Sequence, residues 1–162
     1  MMPFDDDEFD MDDDAMSPEE EAEINERMKK EKEAVKKHPL FVQACEIEQV
    51  LDSLLGYDKT GEERTESHAY LLHESLVIVK AKLYSALASG NYLISMQNAS
   101  IIRDHAQFLL LSNHHLEHLE FDKAYVNIFW EEMEKFRELF VLWAKDIKEL
   151  DREDMEDEWG LF

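Results

Sequence analysis

The sequence predicts an all-α protein: an antiparallel up-and-down four-helix bundle over residues 39–150, preceded by a charged helix over 17–38. An acidic disordered tail (1–16) and an acidic-aromatic C-terminal tail (151–162) flank them. Three observations predict this class. Apolar residues recur at intervals of three and four through four long segments. The chain of 162 residues holds only four glycines and three prolines, too few turn formers for an all-β fold. Its hydrophobic fraction of 44% is enough to fill one core.

The elements follow in order. Residues 1–16 alternate acidic runs with Phe4, Phe9, Met11 and Met16 and contain no basic residue, a composition that cannot offset the entropy of ordering. Ser17-Pro18-Glu19-Glu20 is a helix start, with Ser17 as the cap and Glu20 placed to close a capping box. The helix that follows, to about Lys37, runs from glutamates to lysines and has few apolar residues, so it is expected to project or to lie loosely on the domain. Pro39 marks a boundary. From there Leu40, Ala44, Ile47, Val50, Leu51, Leu54 and Leu55 form a helical stripe that Gly56 closes.

After a polar loop to Glu63, a helix from about Arg64 to Ser89 carries Leu72, Leu76, Val79, Leu83, Ala86 and Leu87, and Gly90-Asn91 ends it. The next, Tyr92 to about Leu111, presents Met96, Ala99, Ile102, Ala106, Leu109 and Leu110. Ser112-Asn113 is expected to open a polar connection through a histidine cluster to Phe121. Asp122 caps the last helix, Lys123 to about Leu150, whose stripe is Tyr125, Ile128, Phe129, Met133, Phe136, Leu139, Phe140, Trp143 and Ile147. Phe129 and Trp130 are adjacent and cannot both face inward, so one of them is a candidate interface residue for a partner or a homodimer.

The formal net charge of −22 is unevenly placed. Residues 1–39 and 151–162 together carry −14, and the bundle between them is only mildly acidic. Negative charge of this size opposes direct binding to bare nucleic acid or to an anionic membrane. The start of the chain lacks a basic, apolar signal segment, and no stretch has the roughly 18 uninterrupted apolar residues of a membrane span. A lone Cys45 excludes an internal disulfide, and a cytoplasmic location is the expectation.

The segment Ser75 to Leu110 resembles the paired middle helices of a group of small bacterial four-helix bundle proteins. The likeness is carried by Ala81, Ala86 and Ala88, the Gly90-Asn91-Tyr92 turn, and Met96-Gln97-Asn98-Ala99, and it continues in the last helix at Glu134 to Trp143. It spans about residues 39–148 and implies a fold, not an activity. A looser similarity, in helix pattern and turn, is to bundle proteins encoded in ribosomal-RNA intervening sequences. Some of their relatives are RNA-associated and depend on basic surface, from which this acidic chain departs.

The candidate chemistry is sparse. His114, His115 and His118 form a cluster beside Glu117, Glu120 and Asp122. On a continuous helix His114 and His118 lie one turn apart, a spacing that suits zinc or nickel; in a polar loop the same histidines are simply solvated. No Glu-x-x-His occurs, which argues against a di-iron carboxylate bundle. His68, His73 and His105 read as boundary histidines satisfied by neighbours, and Cys45, beside an apolar stripe, as an inert buried thiol. Neither a nucleophile elbow nor a phosphate-cradling glycine loop is present, so no cofactor and no enzyme activity are expected.

At the end of the chain an acidic run precedes Trp159, Leu161 and Phe162. This is similar to the acidic, aromatic-ended tails of bacterial single-stranded-DNA-binding proteins, which recruit partner proteins. With Phe4 and Phe9 these residues are candidate docking elements for a basic protein partner. The leading expectation is thus a non-enzymatic interaction protein. A metal-binding or sensory bundle and an acidic nucleic-acid mimic are the alternatives.

Overall fold

The computed structural model describes residues 17–56, 63–118 and 121–150, so the acidic tails and their Phe4, Phe9, Trp159, Leu161 and Phe162 lie outside the described residues. These form five helices and no strand: α1 (Pro18–Lys37), α2 (Pro39–Gly56), α3 (Glu63–Ser89), α4 (Tyr92–His118) and α5 (Lys123–Lys148). None of the described helices is long and apolar enough to cross a membrane.

The capping box at the start of α1 forms as the spacing predicts. The Glu20 amide donates to Ser17 Oγ at 3.2 Å and the Ser17 amide donates to Glu20 Oε2 at 2.9 Å, satisfying two amides that the helix leaves unpaired. α1 is polar almost throughout. It rests against α2 and α3 through Val35, which is fully covered. Between α1 and α2, His38 uses its backbone N–H to bond the Val35 carbonyl and its Nδ1 to accept from the Leu40 amide, so the break demanded by Pro39 is hydrogen-bonded on both sides.

The other four helices contact one another in a closed ring, α2–α3–α4–α5–α2. Side-chain pairs show the directions. Ser85 with Asn98, Ser75 with His105, and His68 with His115 follow α3 and α4 in opposite senses. Glu48 with Lys80 and Asp52 with His73 do the same for α2 and α3. Gln43 Nε2 ties α2 to α5, donating to the Glu132 carbonyl at 3.0 Å and to its carboxylate at 2.6 Å.

The core within the ring is built from the expected stripes, with Leu40, Leu51, Leu72, Leu83, Ile102, Leu109 and Phe129 fully enclosed. Two positions on α5 differ from the expectation. Val126 is enclosed, whereas Ile128 is 42% exposed. The buried face of α5 runs Val126, Phe129, Met133, Phe136, and residue 128 lies about 100° around the helix from residue 129.

The largest departure is at the end of α4. The sequence places a connection from Ser112, but the helix continues to His118. Ser112 Oγ donates to the Phe108 carbonyl one turn back at 2.8 Å, so the hydroxyl is satisfied inside the helix and does not compete with it. Leu116, with no exposed surface, anchors the added turns in the core.

Candidate functional site

Residues of α4 and α5 line an open groove of about 660 Å³. On α4 its wall is the face formed by Arg103, Gln107, Leu110 and His114; on α5 it is Trp130, Met133, Arg137 and Phe140. Both sets recur at three and four residues, so each is one continuous helix face. Ala106 and Phe136, both buried, form part of its floor. The groove follows α4 from Arg103 to His114, a rise of roughly 16 Å at 1.5 Å per residue.

The surface of the lining is mostly apolar, with polar and charged side chains among it, and the ends differ in character. Trp130 is 44% exposed and Leu111 63% exposed, so the groove presents two large apolar side chains to solvent. At the other end stand Arg103 and Arg137. Each is held by a carboxylate of its own helix, Arg103 by Asp104 at 2.9 Å and Arg137 by Glu134 at 2.7 Å. Both arginine side chains remain more than half exposed, and a guanidinium has five donors, so several N–H groups of each still face solvent.

Asn113 lines the end opposite the arginines, and its Oδ1 is buried with no hydrogen-bond partner. An unpaired buried acceptor costs about 1–3 kcal/mol, which favours an occupant that supplies an N–H or O–H donor when the amide turns toward it.

The histidine cluster therefore sits on a helix and not in a loop, but its members are dispersed. His114 lines the groove, while His115 packs edge-on against His68 with ring centroids 4.3 Å apart, and His118 is exposed in the final turn. Among the described residues no three His, Cys, Asp or Glu side chains are grouped to hold a metal ion. His73 Nε2 lies 3.4 Å from Asp52, and His105 Nδ1 lies 3.3 Å from Ser75 Oγ, the neighbours expected of boundary histidines. His68 departs from that pattern, because its Nε2 is buried without a partner. Burial first, and the neighbouring His115 second, hold its pKa below the ordinary 6.5. Cys45 is partly exposed instead of buried.

Comparison with protein-family models, with curated proteins and with solved structures finds no match for this chain.

Of the groove residues, sequence reasoning singled out Trp130 and His114 and passed over Arg103, Leu111 and Arg137. A signal was available. Leu109-Leu110-Leu111 and Phe129-Trp130 are apolar runs wider than one buried stripe needs, and Leu110, Leu111 and Trp130, the members outside the fully buried positions, line the groove.

Proposed function

We propose that this protein is a non-enzymatic interaction module, an up-and-down four-helix bundle with α1 appended, whose α4–α5 groove receives an apolar segment of a protein. The observation that carries this reading is the exposure of Leu111 and Trp130 along an open groove with a charged rim. Peptide-binding grooves between helices receive apolar anchor side chains of the bound segment, and Leu111 and Trp130 offer exposed apolar surface for such anchors. The volume lies within the range of roughly 300–1,000 Å³ typical of ligand sites, but the opening along the whole length suits a segment better than an enclosed small molecule. The closed ring of contacts among α2, α3, α4 and α5 supports the fold assignment. The non-enzymatic reading is supported by the pairing of His73, His105 and Glu48 with partners on neighbouring helices, which gives these groups structural roles.

The test places a photoreactive amino acid at Gln107, an exposed groove residue, in the full chain in cells. A discrete set of adducts is expected that disappears when Leu111→Glu puts a charge in the groove and is absent when the probe sits at Tyr84 on α3. Identical adducts from Tyr84, or adducts indifferent to Leu111→Glu, refute the reading.

A further inference from the structure

Resting on the reading of the α4–α5 groove as a docking surface, we propose that its resident occupant is this chain's own segment 151–162, docked in cis. In that arrangement Trp159, Leu161 and Phe162 cover Met133, Leu110, Leu111 and Trp130, while the preceding carboxylates lie along the basic end. A protein partner then competes with the segment for the same surface.

Charge and order both fit. The segment Asp151–Glu158 contains six acidic residues and one basic residue, and the aromatic and aliphatic side chains follow it. The path from the end of α5 presents the complementary sequence of features. Arg137, Val141, Ala144 and Lys148 are spaced i, i+4, i+7, i+11 and so form one stripe of α5 leading from its C-terminus into the groove. Arg103 joins Arg137 at the near end, and the exposed apolar surface of Leu111 and Trp130 lies at the far end. A segment that runs back along α5 therefore meets Lys148 and then Arg137 and Arg103, whose remaining N–H groups face solvent beside Glu134 and Asp104, with its acids first, and apolar surface with its Trp and Leu afterwards. Opposite charges steer the encounter, and apolar burial holds it.

The reach also fits. If two residues after Leu150 are used to reverse direction, seven residue steps lead from Arg152 to Trp159, about 23 Å of extended chain at 3.3 Å per residue. That length covers roughly 15 residues of α5 at 1.5 Å each, which brings Trp159 just past Arg137 and over Met133. Leu161 and Phe162 then extend toward Leu110, Leu111 and Trp130.

The experiment is paramagnetic relaxation on the full chain. A nitroxide is attached at Asp157→Cys in a Cys45→Ala background. The Trp130 indole N–H and the Leu110 and Leu111 methyl resonances are expected to lose most of their intensity, while Val77 on the outer side of α3 keeps its own. Combining Arg103→Glu with Arg137→Glu should restore the groove signals, and so should raised salt, because both weaken the attraction at the basic end. Equal broadening at Val77 and Trp130, or broadening unaffected by the double charge reversal, overturns the proposal. Mixing spin-labelled chains with isotope-labelled chains that carry no nitroxide separates the geometries: broadening that arises in the mixture assigns the occupant to a second copy and overturns docking in cis. If the groove shows no broadening while the Gln107 adducts remain sensitive to Leu111→Glu, the self-docking is refuted and the docking surface stands.

Discussion

Gln43→Ala removes a buried polar tie between α2 and α5, and its cost can be worked from the geometry. Gln43 is 7% exposed, and its Nε2 donates to the Glu132 carboxylate at 2.6 Å and to the Glu132 carbonyl at 3.0 Å. A hydrogen bond to a charged group contributes about 1.5–3 kcal/mol and a neutral one about 0.5–1.5 kcal/mol. The Glu132 carboxylate is only 16% exposed and keeps Lys135 as a second partner, so it is not stranded as an isolated charge when the amide goes. The expected loss is therefore about 2–4 kcal/mol, a large fraction of the 5–15 kcal/mol typical of a domain this size.

Urea denaturation of the full chain measures this loss, and a double-mutant cycle with Glu132→Ala isolates the pair. The cycle should return a coupling of about 1.5–3 kcal/mol near neutral pH. The pH dependence has a definite sign. Hydrogen bonds from Lys135, and then from Gln43, hold the Glu132 pKa below its ordinary 4.5. The folded state thus binds fewer protons than the unfolded state there, so this stabilisation is complete above about 4.5 and fades as pH falls through the folded value. The gap between native protein and Gln43→Ala should narrow in that range. A coupling under about 0.5 kcal/mol at neutral pH would show that the tie is not a determinant of α2–α5 packing and would refute the reasoning.

Two other expectations follow from single sites. His68 has a pKa lowered from 6.5 by burial, so its contribution is intact above about 6.5 and is lost as pH falls toward its folded value. His68→Leu should therefore lose less stability than the native protein between about pH 7.5 and 5.5, and parallel stability profiles would contradict the assignment. Gly90 has φ 60°, and an added Cβ there meets nothing within 4 Å, so the cost of Gly90→Ala arises from the backbone alone. About 1–2 kcal/mol is expected, with Gly90→Asn costing less; thermal melts in which Ala matches Gly would exclude this account.

The sequence alone determined the features that depend on neighbours three or four residues apart. The Ser17–Glu20 box, the break at Pro39, the Gly90-Asn91 turn and most of the buried stripes were legible because each is decided within a single helical turn. The histidine cluster shows where this stops. Ser112-Asn113 reads locally as a helix end, yet Leu116 docks into the core, and tertiary burial outweighs the weak local preference. The same limit explains Ile128 and Val126, because periodicity gives the residues that share a face but not the exact rotation of that face toward its neighbours.

The groove lies further beyond local information. Arg103 and Arg137 are separated by 34 positions and look like ordinary surface charges until α4 and α5 bring them to one end of the same cleft. The cleft, with Ala106 and Phe136 in its lining, is a matter of how two helices approach. The sequence determined which side chains each helix offers, since its period is intrinsic to the backbone. The tertiary structure decided which offered faces remain uncovered, since that depends on the distance and angle between helices distant along the chain.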